Sequence, residues 1–222
     1  MRINFVNTKL SLNRSIWSYS KIQHLVAALI RGRKAFMNQK TPGLILDIGC
    51  GPNSHDENIN LDYSWRPGVD VCCDITRGLP FPDQYVGGIF SEHCIEHISL
   101  RQAFGVFREM HRILRPNGHV RIVVPDLEIY ISKYKTKQPM PYANLDVTAD
   151  LYTPAMSINR IINEHGHQFI YDFETLQTLL EACGFADVNK CEFAQGKDRA
   201  LLLDSPAREM ESLYVEARKT GL

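Results

Sequence analysis

The segment 46–53, with the sequence LDIGCGPN, constrains the fold more than any other part of the chain. The apolar residues Leu44, Ile45, Leu46 and Ile48 predict a buried strand, and two glycines separated by a single residue follow it directly. Because glycine lacks a Cβ, such a loop can adopt positive φ angles and lets a ligand approach the backbone closely. In doubly wound α/β folds a glycine turn of this kind binds nucleotide-like ligands, although tight turns without a ligand look similar.

The rest of the chain alternates predicted strands and helices, which indicates an α/β fold with a mostly parallel sheet. The predicted strands lie at about 43–48, 58–62, 69–73, 86–90, 119–124, 188–194 and 211–218. Helical spacing of apolar residues predicts helices at 15–37, 100–114 and 172–183. The segment 126–168 contains several prolines and shows low regularity.

Charge is distributed unevenly along the chain. The 222 residues carry 25 basic and 25 acidic side chains, but residues 1–40 hold eight Lys or Arg and no acid, so the remainder has a net charge of −8. A basic, acid-free leader of this kind resembles an organellar transit peptide or a surface-binding arm. We expect residues 1–40 to form a basic helical extension. Zero overall charge argues against nucleic acid as a partner.

Cysteine usage and hydropathy bear on the location of the protein. The six cysteines form no C-x-x-C pair and no secretory signal precedes them, so a reducing cytosol is the simplest interpretation. No apolar run approaches 18 residues, and nothing is therefore predicted to span a membrane. We expect a cytoplasmic protein, with peripheral contact between the N-terminal helix and an anionic membrane as an open alternative.

Five sequence blocks follow one another in a recognisable order. They are LDIGCGPN at 46–53, INLD at 59–62, CDITRGLPFPD at 73–83, IFSEHCIEHI at 89–98 and REMHRILRPNGHVRIVVPD at 108–126. Together they resemble the class I S-adenosylmethionine-dependent methyltransferases, in the broad group sometimes called type 11. The resemblance implies a Rossmann-like α/β fold in which a mostly parallel seven-stranded sheet is flanked by helices. It also implies a methyltransferase domain at 41–222 with a substrate-covering insertion at about 126–168.

The first crossover of this fold must be unusually short here. Only Pro52–Asn58 separate the glycine loop from the second strand, so the first helix is absent or a single turn. A parallel sheet is normally covered on both faces. We therefore expect the predicted helix at 15–37 to pack against the domain near the glycine loop.

The resemblance also implies a site for the cofactor S-adenosylmethionine. Its residues would be Asp47, Gly49, Cys50, Gly51, Asp62, Asp74, Ile75 and Ser91. The glycine loop would pass beneath the amino-acid end, with backbone N–H groups facing its carboxylate and Asp47 near its ammonium group. Asp62 would accept hydrogen bonds from both ribose hydroxyls. Asp74 would bind the adenine amine while Ile75 packs on the ring, although Asp74 could instead be a turn residue.

Candidate catalytic residues follow the fourth predicted strand, where this fold faces the reactive methyl group. An acceptor hydroxyl benefits from a base, and His93 is the first candidate. Further candidates come after the fifth predicted strand: Asp126 at its tip, and His165 with His167 in the segment 163–172. His93 and His97 are four residues apart, as metal ligands on a helix can be, but no third ligand is evident at a supporting spacing. We therefore expect no metal ion.

The segment 166–185 resembles methyltransferases associated with bacterial surface-polysaccharide assembly, which implies a sugar or sugar-phosphate acceptor. The expected function is methyl transfer to a small-molecule or glycan acceptor, with a catalytically inactive cofactor-binding scaffold as the alternative. A nicotinamide-dependent oxidoreductase is disfavoured, because the third glycine of its fingerprint is missing. In addition, Asp47 and Asp62 are 15 residues apart, whereas dinucleotide-binding folds have about 20.

Overall fold

The computed structural model describes residues 44–138, 140 and 152–221. The predicted helix at 15–37, the basic extension 1–40 and its expected packing on the domain lie outside the described residues. Among the helices that are described, none has the length and hydropathy needed to cross a membrane.

The core of the fold is one seven-stranded sheet in the order β3-β2-β1-β4-β5-β7-β6. Its strands are β1 (Ile45–Ile48), β2 (Ile59–Asp62), β3 (Val71–Cys72), β4 (Val86–Glu92), β5 (Leu114–Pro125), β6 (Phe185–Cys191) and β7 (Ser212–Lys219). Strands β1 to β5 run parallel to one another, whereas β7 is antiparallel to both β5 and β6. The predicted mostly parallel, seven-stranded sheet is confirmed.

The connection from β1 to β2 is as short as its sequence requires. Residues 49–58, all of them described, contain no helix, so the predicted loss of the first crossover helix is confirmed. The N–H groups of Gly49 and Cys50 donate to the carbonyl oxygen of Leu61 at 2.8 and 3.2 Å. These two bonds fasten the loop after β1 to β2 and hold the carboxyl ends of the two strands side by side.

Helix α1 (Leu100–Ile113) covers one face of the sheet and corresponds to the helix predicted at 100–114. A capping box begins it: the Ser99 hydroxyl accepts from the Gln102 N–H, and the Gln102 side chain accepts from the Ser99 N–H. Its buried residues pack into the main core and are Ala103, Val106, Phe107, Met110 and Ile113. Ala103, Phe107 and Met110 belong to the helical spacing that predicted the helix.

The low regularity predicted for 126–168 is wrong for two parts of this segment. Helix α2 spans Leu127–Lys135 and helix α3 spans Pro154–Asn163, and their side chains pack together around Tyr130 and Ile161. Pro154 begins α3 instead of breaking it, because proline fits the first turn of a helix, where its missing N–H has no intrahelical partner. Residues 139 and 141–151 lie outside the description.

The chain then returns to the sheet through α4 (Phe173–Ala182), the helix predicted at 172–183. The Asp172 side chain caps its start, and Gly184 follows its end at a φ of 96°. On the opposite face of the sheet, a second small core forms around Leu201 and Phe90. All six cysteines are free of disulfide bonds.

Candidate active site

A cleft of about 440 Å³ opens at the carboxyl ends of β1, β2 and β4. Its volume falls within the roughly 300–1,000 Å³ that is typical of small-molecule sites. The strand order runs in opposite directions from β1, towards β2 on one side and β4 on the other, and open α/β sheets bind ligands at such a switch point. Five of the predicted cofactor residues line the cleft, namely Gly49, Gly51, Asp62, Asp74 and Ile75.

The two glycines are required by their backbone conformation and by close packing. Gly49 has a φ of 79° and Gly51 a φ of 55°, which is the left-handed region that glycine tolerates best. A Cβ on Gly49 would lie 2.6 Å from the Cβ and Sγ atoms of Cys94. The loop amides, however, are already bonded: those of Gly49 and Cys50 to Leu61, and that of Gly51 to Asp62. These amides therefore fasten the loop within the protein, and the expectation that they face a ligand carboxylate stays a prediction.

Asp62 combines a structural role with spare hydrogen-bonding capacity. Its Oδ2 accepts from the Gly51 N–H at 3.0 Å, and its Oδ1 accepts from the Ser64 N–H at 2.8 Å. Each carboxylate oxygen has two lone-pair positions. Asp62 therefore holds the glycine loop and can still accept hydrogen bonds from hydroxyl groups within the cleft, as the ribose role requires.

Asp74 lines the cleft, but its side chain is engaged in a turn. Its Oδ1 accepts from the Thr76 N–H at 3.1 Å and from the Thr76 hydroxyl at 2.6 Å. Its Oδ2 lies 3.3 Å from Nε of Arg77. These contacts are those of the turn residue that the sequence left open as an alternative. Ile75 lies beside it on the cleft wall.

Asp47 lies behind the cleft wall and is almost fully buried. Burial, with smaller contributions from the nearby carboxylates of Glu92 and Asp62, raises the pKa of Asp47 to about 7. The carboxyl ends of β1 and β2 thus carry an excess of negative charge. A cationic group placed here would relieve this excess.

Cys50 and Ser91, the other predicted cofactor residues, are also outside the cleft lining. Cys50 packs in a small buried cluster with Val69 and Cys72. The Ser91 hydroxyl donates to the carbonyl oxygen of Ile48 at 3.1 Å and ties the end of β4 to the end of β1. Both contacts stabilise the strand ends from which the cleft is built.

His93 lines the cleft just past β4, with a φ of 47°. Its Nε2 lies 2.9 Å from the Oγ atom of Ser212, whose hydroxyl donates to the carbonyl oxygen of Arg208. Because a hydroxyl has a single hydrogen, His93 must donate from Nε2. Its Nδ1 then carries a lone pair, unless the ring is protonated, and lies 3.3 Å from Oε1 of Glu96.

Glu96 is fully buried at the centre of three histidines. In the part of the chain that the structure describes, neither of its carboxylate oxygens finds a hydrogen-bond partner. Its Oε1 lies 4.0 Å from Nε2 of His97 and 3.9 Å from Nε2 of His167. We call His93, Glu96, His97 and His167 the Glu96 cluster. His167 belongs to the candidate segment 163–172, whereas Glu96 was not a predicted catalytic residue.

Backbone hydrogen bonds bring His167 to this cluster from a distant part of the sequence. The N–H groups of Gln168 and Phe169 donate to the carbonyl oxygen of Glu96 at 2.7 and 3.2 Å. The His167 Nδ1 lies 2.6 Å from the carbonyl oxygen of Ile161. A carbonyl oxygen can only accept, so Nδ1 carries the hydrogen and the lone pair of the neutral ring is at Nε2.

The other two candidate catalytic residues are not in the cleft lining. Asp126 caps α2 by accepting from the Glu128 N–H at 2.9 Å, and its Oδ2 lies 3.2 Å from Nζ of Lys190. His165 is exposed at a φ of 61°. Its ring centroid lies 5.8 Å from that of His167, so it flanks the Glu96 cluster.

The sheet order, the cleft at its switch point and the glycine loop are those of the fold of class I S-adenosylmethionine-dependent methyltransferases. Comparison with known families agrees, since residues 58–122 match the family described as "Methyltransferase domain". S-adenosylmethionine is the cofactor of this class. The residues fit it: Asp62 keeps acceptor sites for hydroxyl groups, and the acidic surroundings of Asp47 suit an ammonium group.

Curated relatives cover only part of this chain. The probable tRNA methyltransferase 9B of Bos taurus is 34% identical over 113 residues, which is 44% of this chain and 25% of the relative. The Homo sapiens protein of the same name is 33% identical over 114 residues, with the same coverage. The match thus spans about a quarter of the length of these curated relatives.

Solved structures show the same fold at low sequence identity. A SAM-dependent methyltransferase from Archaeoglobus fulgidus has a TM-score of 0.53 at 17% identity, with 95% of this chain and 100% of that chain covered. The Haemonchus contortus phosphoethanolamine N-methyltransferase 2, solved with S-adenosyl-L-methionine, has a TM-score of 0.52 at 16% identity. In that case 98% of this chain and 61% of that chain are covered.

Proposed function

We propose that this chain transfers a methyl group from S-adenosylmethionine to a small-molecule or glycan acceptor, such as a sugar or sugar phosphate in polysaccharide biosynthesis. One observation carries the proposal: a single cleft is lined both by the cofactor residues Asp62 and Ile75 and by the histidines His93 and His97. Cofactor and acceptor chemistry can therefore meet in one space. The acceptor class itself rests on the sequence resemblance of residues 166–185.

S-adenosylmethionine, when bound, supplies an electrophilic methyl group. Asp62 would accept hydrogen bonds from the ribose hydroxyls through the lone pairs that Gly51 and Ser64 leave open. Ile75 would pack on the adenine ring, and Asp47 would pair with the ammonium group at the amino-acid end. Positioning of this kind supplies most of the acceleration for an in-line transfer, since such a reaction needs an aligned acceptor more than it needs acid–base groups.

His93 is the candidate base for an acceptor hydroxyl. It holds a hydrogen at Nε2 towards Ser212, and its Nδ1 faces Glu96, so a proton accepted at Nδ1 would be shared with that carboxylate. His165 and Asp126 remain alternatives, although neither lines the cleft. A phosphate or carboxylate acceptor would need no base.

The relatives support tRNA as a second candidate acceptor, because they are named as probable tRNA methyltransferases. The distribution of charge along the chain argues partly for and partly against tRNA as the acceptor. Residues from 41 onwards carry 25 acidic and 17 basic side chains, which opposes binding to a phosphate backbone, whereas the eight basic residues of 1–40 favour it. A cofactor-binding scaffold without turnover is the remaining alternative.

A product assay separates these candidates. Purified protein with S-adenosylmethionine is incubated with a panel of sugar phosphates and glycans or with unmodified tRNA, and S-adenosylhomocysteine and methylated product are measured by mass spectrometry. We expect product with a member of the glycan panel. Product with tRNA alone would replace the proposed acceptor, and cofactor binding without turnover on either panel would favour the scaffold.

A further inference from the structure

In the Glu96 cluster, the described protein groups provide neither a hydrogen bond nor a fixed positive charge for the buried carboxylate of Glu96. Glu96 is fully buried, yet neither oxygen accepts a hydrogen bond from a described residue. Burial of an ionised carboxylate is strongly unfavourable unless a charge partner compensates it. With neutral rings, lone pairs of His93 and His167 point to the same oxygen, Oε1, at 3.3 and 3.9 Å. A positive charge among these atoms would satisfy all of them at once.

We propose that Glu96, His97 and His167 bind a divalent first-row transition-metal ion. One ligand atom from each of the three lies within 4.8 Å of the others. Metal–nitrogen and metal–oxygen distances of about 2.0–2.2 Å bring such ligands to roughly 3–4 Å from one another, so the longest of these separations must contract by roughly 1–2 Å on binding. Two imidazoles and one carboxylate suit Zn²⁺, Fe²⁺ or Co²⁺, whereas Mg²⁺ and Ca²⁺ prefer oxygen ligands.

The surroundings of the three side chains meet the further requirements of a metal site. His167 is oriented by the bond from its Nδ1 to the carbonyl oxygen of Ile161, which leaves Nε2 for the ion. Ligating histidines in proteins are oriented by a second hydrogen bond of this kind. The rings of His97 and His167 are in edge-to-face contact, with centroids 4.8 Å apart. His97 also lines the cleft, so the site is reached from solvent.

Three protein ligands leave coordination positions open, as in metal sites that bind a substrate or water. His97 and His93 both face the cleft, which places an open position on the side where an acceptor would enter. The ion would bind an oxygen atom of the acceptor, a hydroxyl or a phosphate, and hold it beside the cofactor site. This role rests on the proposed function, but the metal site itself does not.

The test uses the full, untagged chain stripped of metal by a chelator. Titration with Co²⁺ is followed by visible absorption, and equilibrium dialysis with elemental analysis gives the stoichiometry. We expect one ion per chain, displaced by Zn²⁺, with an affinity at least about tenfold weaker in Glu96→Gln and in His167→Ala. The control His119→Ala removes an imidazole from β5, near the end of the strand opposite the cleft, and should bind Co²⁺ unchanged.

Two results would overturn the proposal. One is a wild-type chain that binds no Co²⁺ or Zn²⁺, in which case a proton shared within the cluster neutralises Glu96. The other is equal Co²⁺ affinity in wild type and Glu96→Gln. S-adenosylhomocysteine affinity, measured on the same samples, shows whether each variant is folded. If His167→Ala does not fold, the near-isosteric variant Glu96→Gln alone tests the metal site. Metal binding without methyl transfer would count against the proposed function alone, and methyl transfer by a metal-free chain would refute the role of the ion in holding the acceptor but not the metal site.

Discussion

Two buried ionic clusters in this domain differ in how completely their groups are paired. The first surrounds Arg121, which is fully buried on β5. Its Nε and Nη2 donate to the two carboxylate oxygens of Asp204 at 2.7 and 2.5 Å, and its Nη1 donates to Glu216 at 2.9 Å. Its two other donors reach the carbonyl oxygens of Gln195 and Glu192. All five guanidinium hydrogens are therefore used, and we call this group the Arg121 cluster.

The Glu96 cluster has the opposite character. Its central carboxylate is as deeply buried as Arg121 but receives no hydrogen bond from any described residue. A complete buried network specifies one arrangement of the chain. An unsatisfied buried group requires an explanation, such as a bound ion or water, and the proposed metal ion supplies one for the Glu96 cluster. The comparison assigns the Arg121 cluster to stability and the Glu96 cluster to binding.

The largest effect is expected from Arg121→Ala. Removing the guanidinium leaves Asp204 and Glu216 buried without their partner, and breaking a buried pair in this way costs about 3–5 kcal/mol. Chemical denaturation followed by circular dichroism should show a loss of this size in the free energy of unfolding.

The matched control is Arg115→Ala. Arg115 is exposed and makes one long bond of 3.4 Å to the carbonyl oxygen of Gln84, so its loss should change stability by no more than about 0.5 kcal/mol. If Arg121→Ala cost as little as the control, the completeness of the Arg121 cluster would have no energetic meaning.

Asp62 is intermediate between the fully paired Arg121 cluster and the unpaired Glu96. Its carboxylate accepts hydrogen bonds from the protein and keeps lone pairs available towards the cleft. In Asp62→Ala we expect S-adenosylhomocysteine affinity to fall by more than about tenfold, because charge-assisted hydrogen bonds to the ligand and the anchor of Gly51 are lost. Isothermal titration calorimetry measures this change. Asp83→Ala, which removes an exposed carboxylate paired with Arg112 outside the cleft, should bind normally. Unchanged affinity in Asp62→Ala would argue against the ribose role.

Glu96→Gln should have a smaller effect, in the direction opposite to that of Arg121→Ala. In metal-stripped protein the neutral amide is easier to bury than an unpaired carboxylate, so we expect the free energy of unfolding to rise by about 1 kcal/mol. Glu216→Gln is the control, because it removes a charge that Arg121 pairs and should destabilise the protein. A clear loss of stability in Glu96→Gln would mean that this carboxylate is already paired, and the contrast between the clusters would fail.

Sequence patterns predicted the sheet well, because buried parallel strands are short apolar runs bounded by glycine and proline. They failed for α2 and α3, which lie in the segment expected to be irregular. Pro154 counts as a sign of irregular structure in the sequence but begins α3 behind the capping residue Thr153. Asp126, which stays a candidate catalytic residue, also caps α2. Both helices were missed because the residues that begin helices are also loop residues.

The site was predictable where it is local in sequence and unpredictable where it depends on tertiary contacts. The residues of the glycine loop and Asp62 follow their strands directly and line the cleft as expected. His167 is 70 residues from His97, and no spacing rule relates them. Arg121 and Asp204 are 83 residues apart for the same reason. The one available signal was the presence of Arg121 within an apolar strand, since a buried arginine requires acidic partners.

Asp47 provides the last and smallest test of the comparison. It is a buried acid whose pKa is raised to about 7 by burial and by Glu92 and Asp62, so below pH 7 it is mostly protonated in the free protein. If the ligand's ammonium group is its missing partner, binding must lower this pKa and release a proton, and affinity must then rise with pH. Complete release of this proton corresponds to about tenfold tighter binding at pH 8 than at pH 6. We expect S-adenosylhomocysteine affinity to rise several-fold within this limit, measured by calorimetry in buffers of different ionisation enthalpy. Asp47→Asn should remove most of this pH dependence. The difference between wild type and Asp47→Asn also excludes any contribution from the histidines, since both proteins contain them. An equal pH dependence in wild type and Asp47→Asn would show that Asp47, like Arg121, belongs to the structure and not to the ligand site.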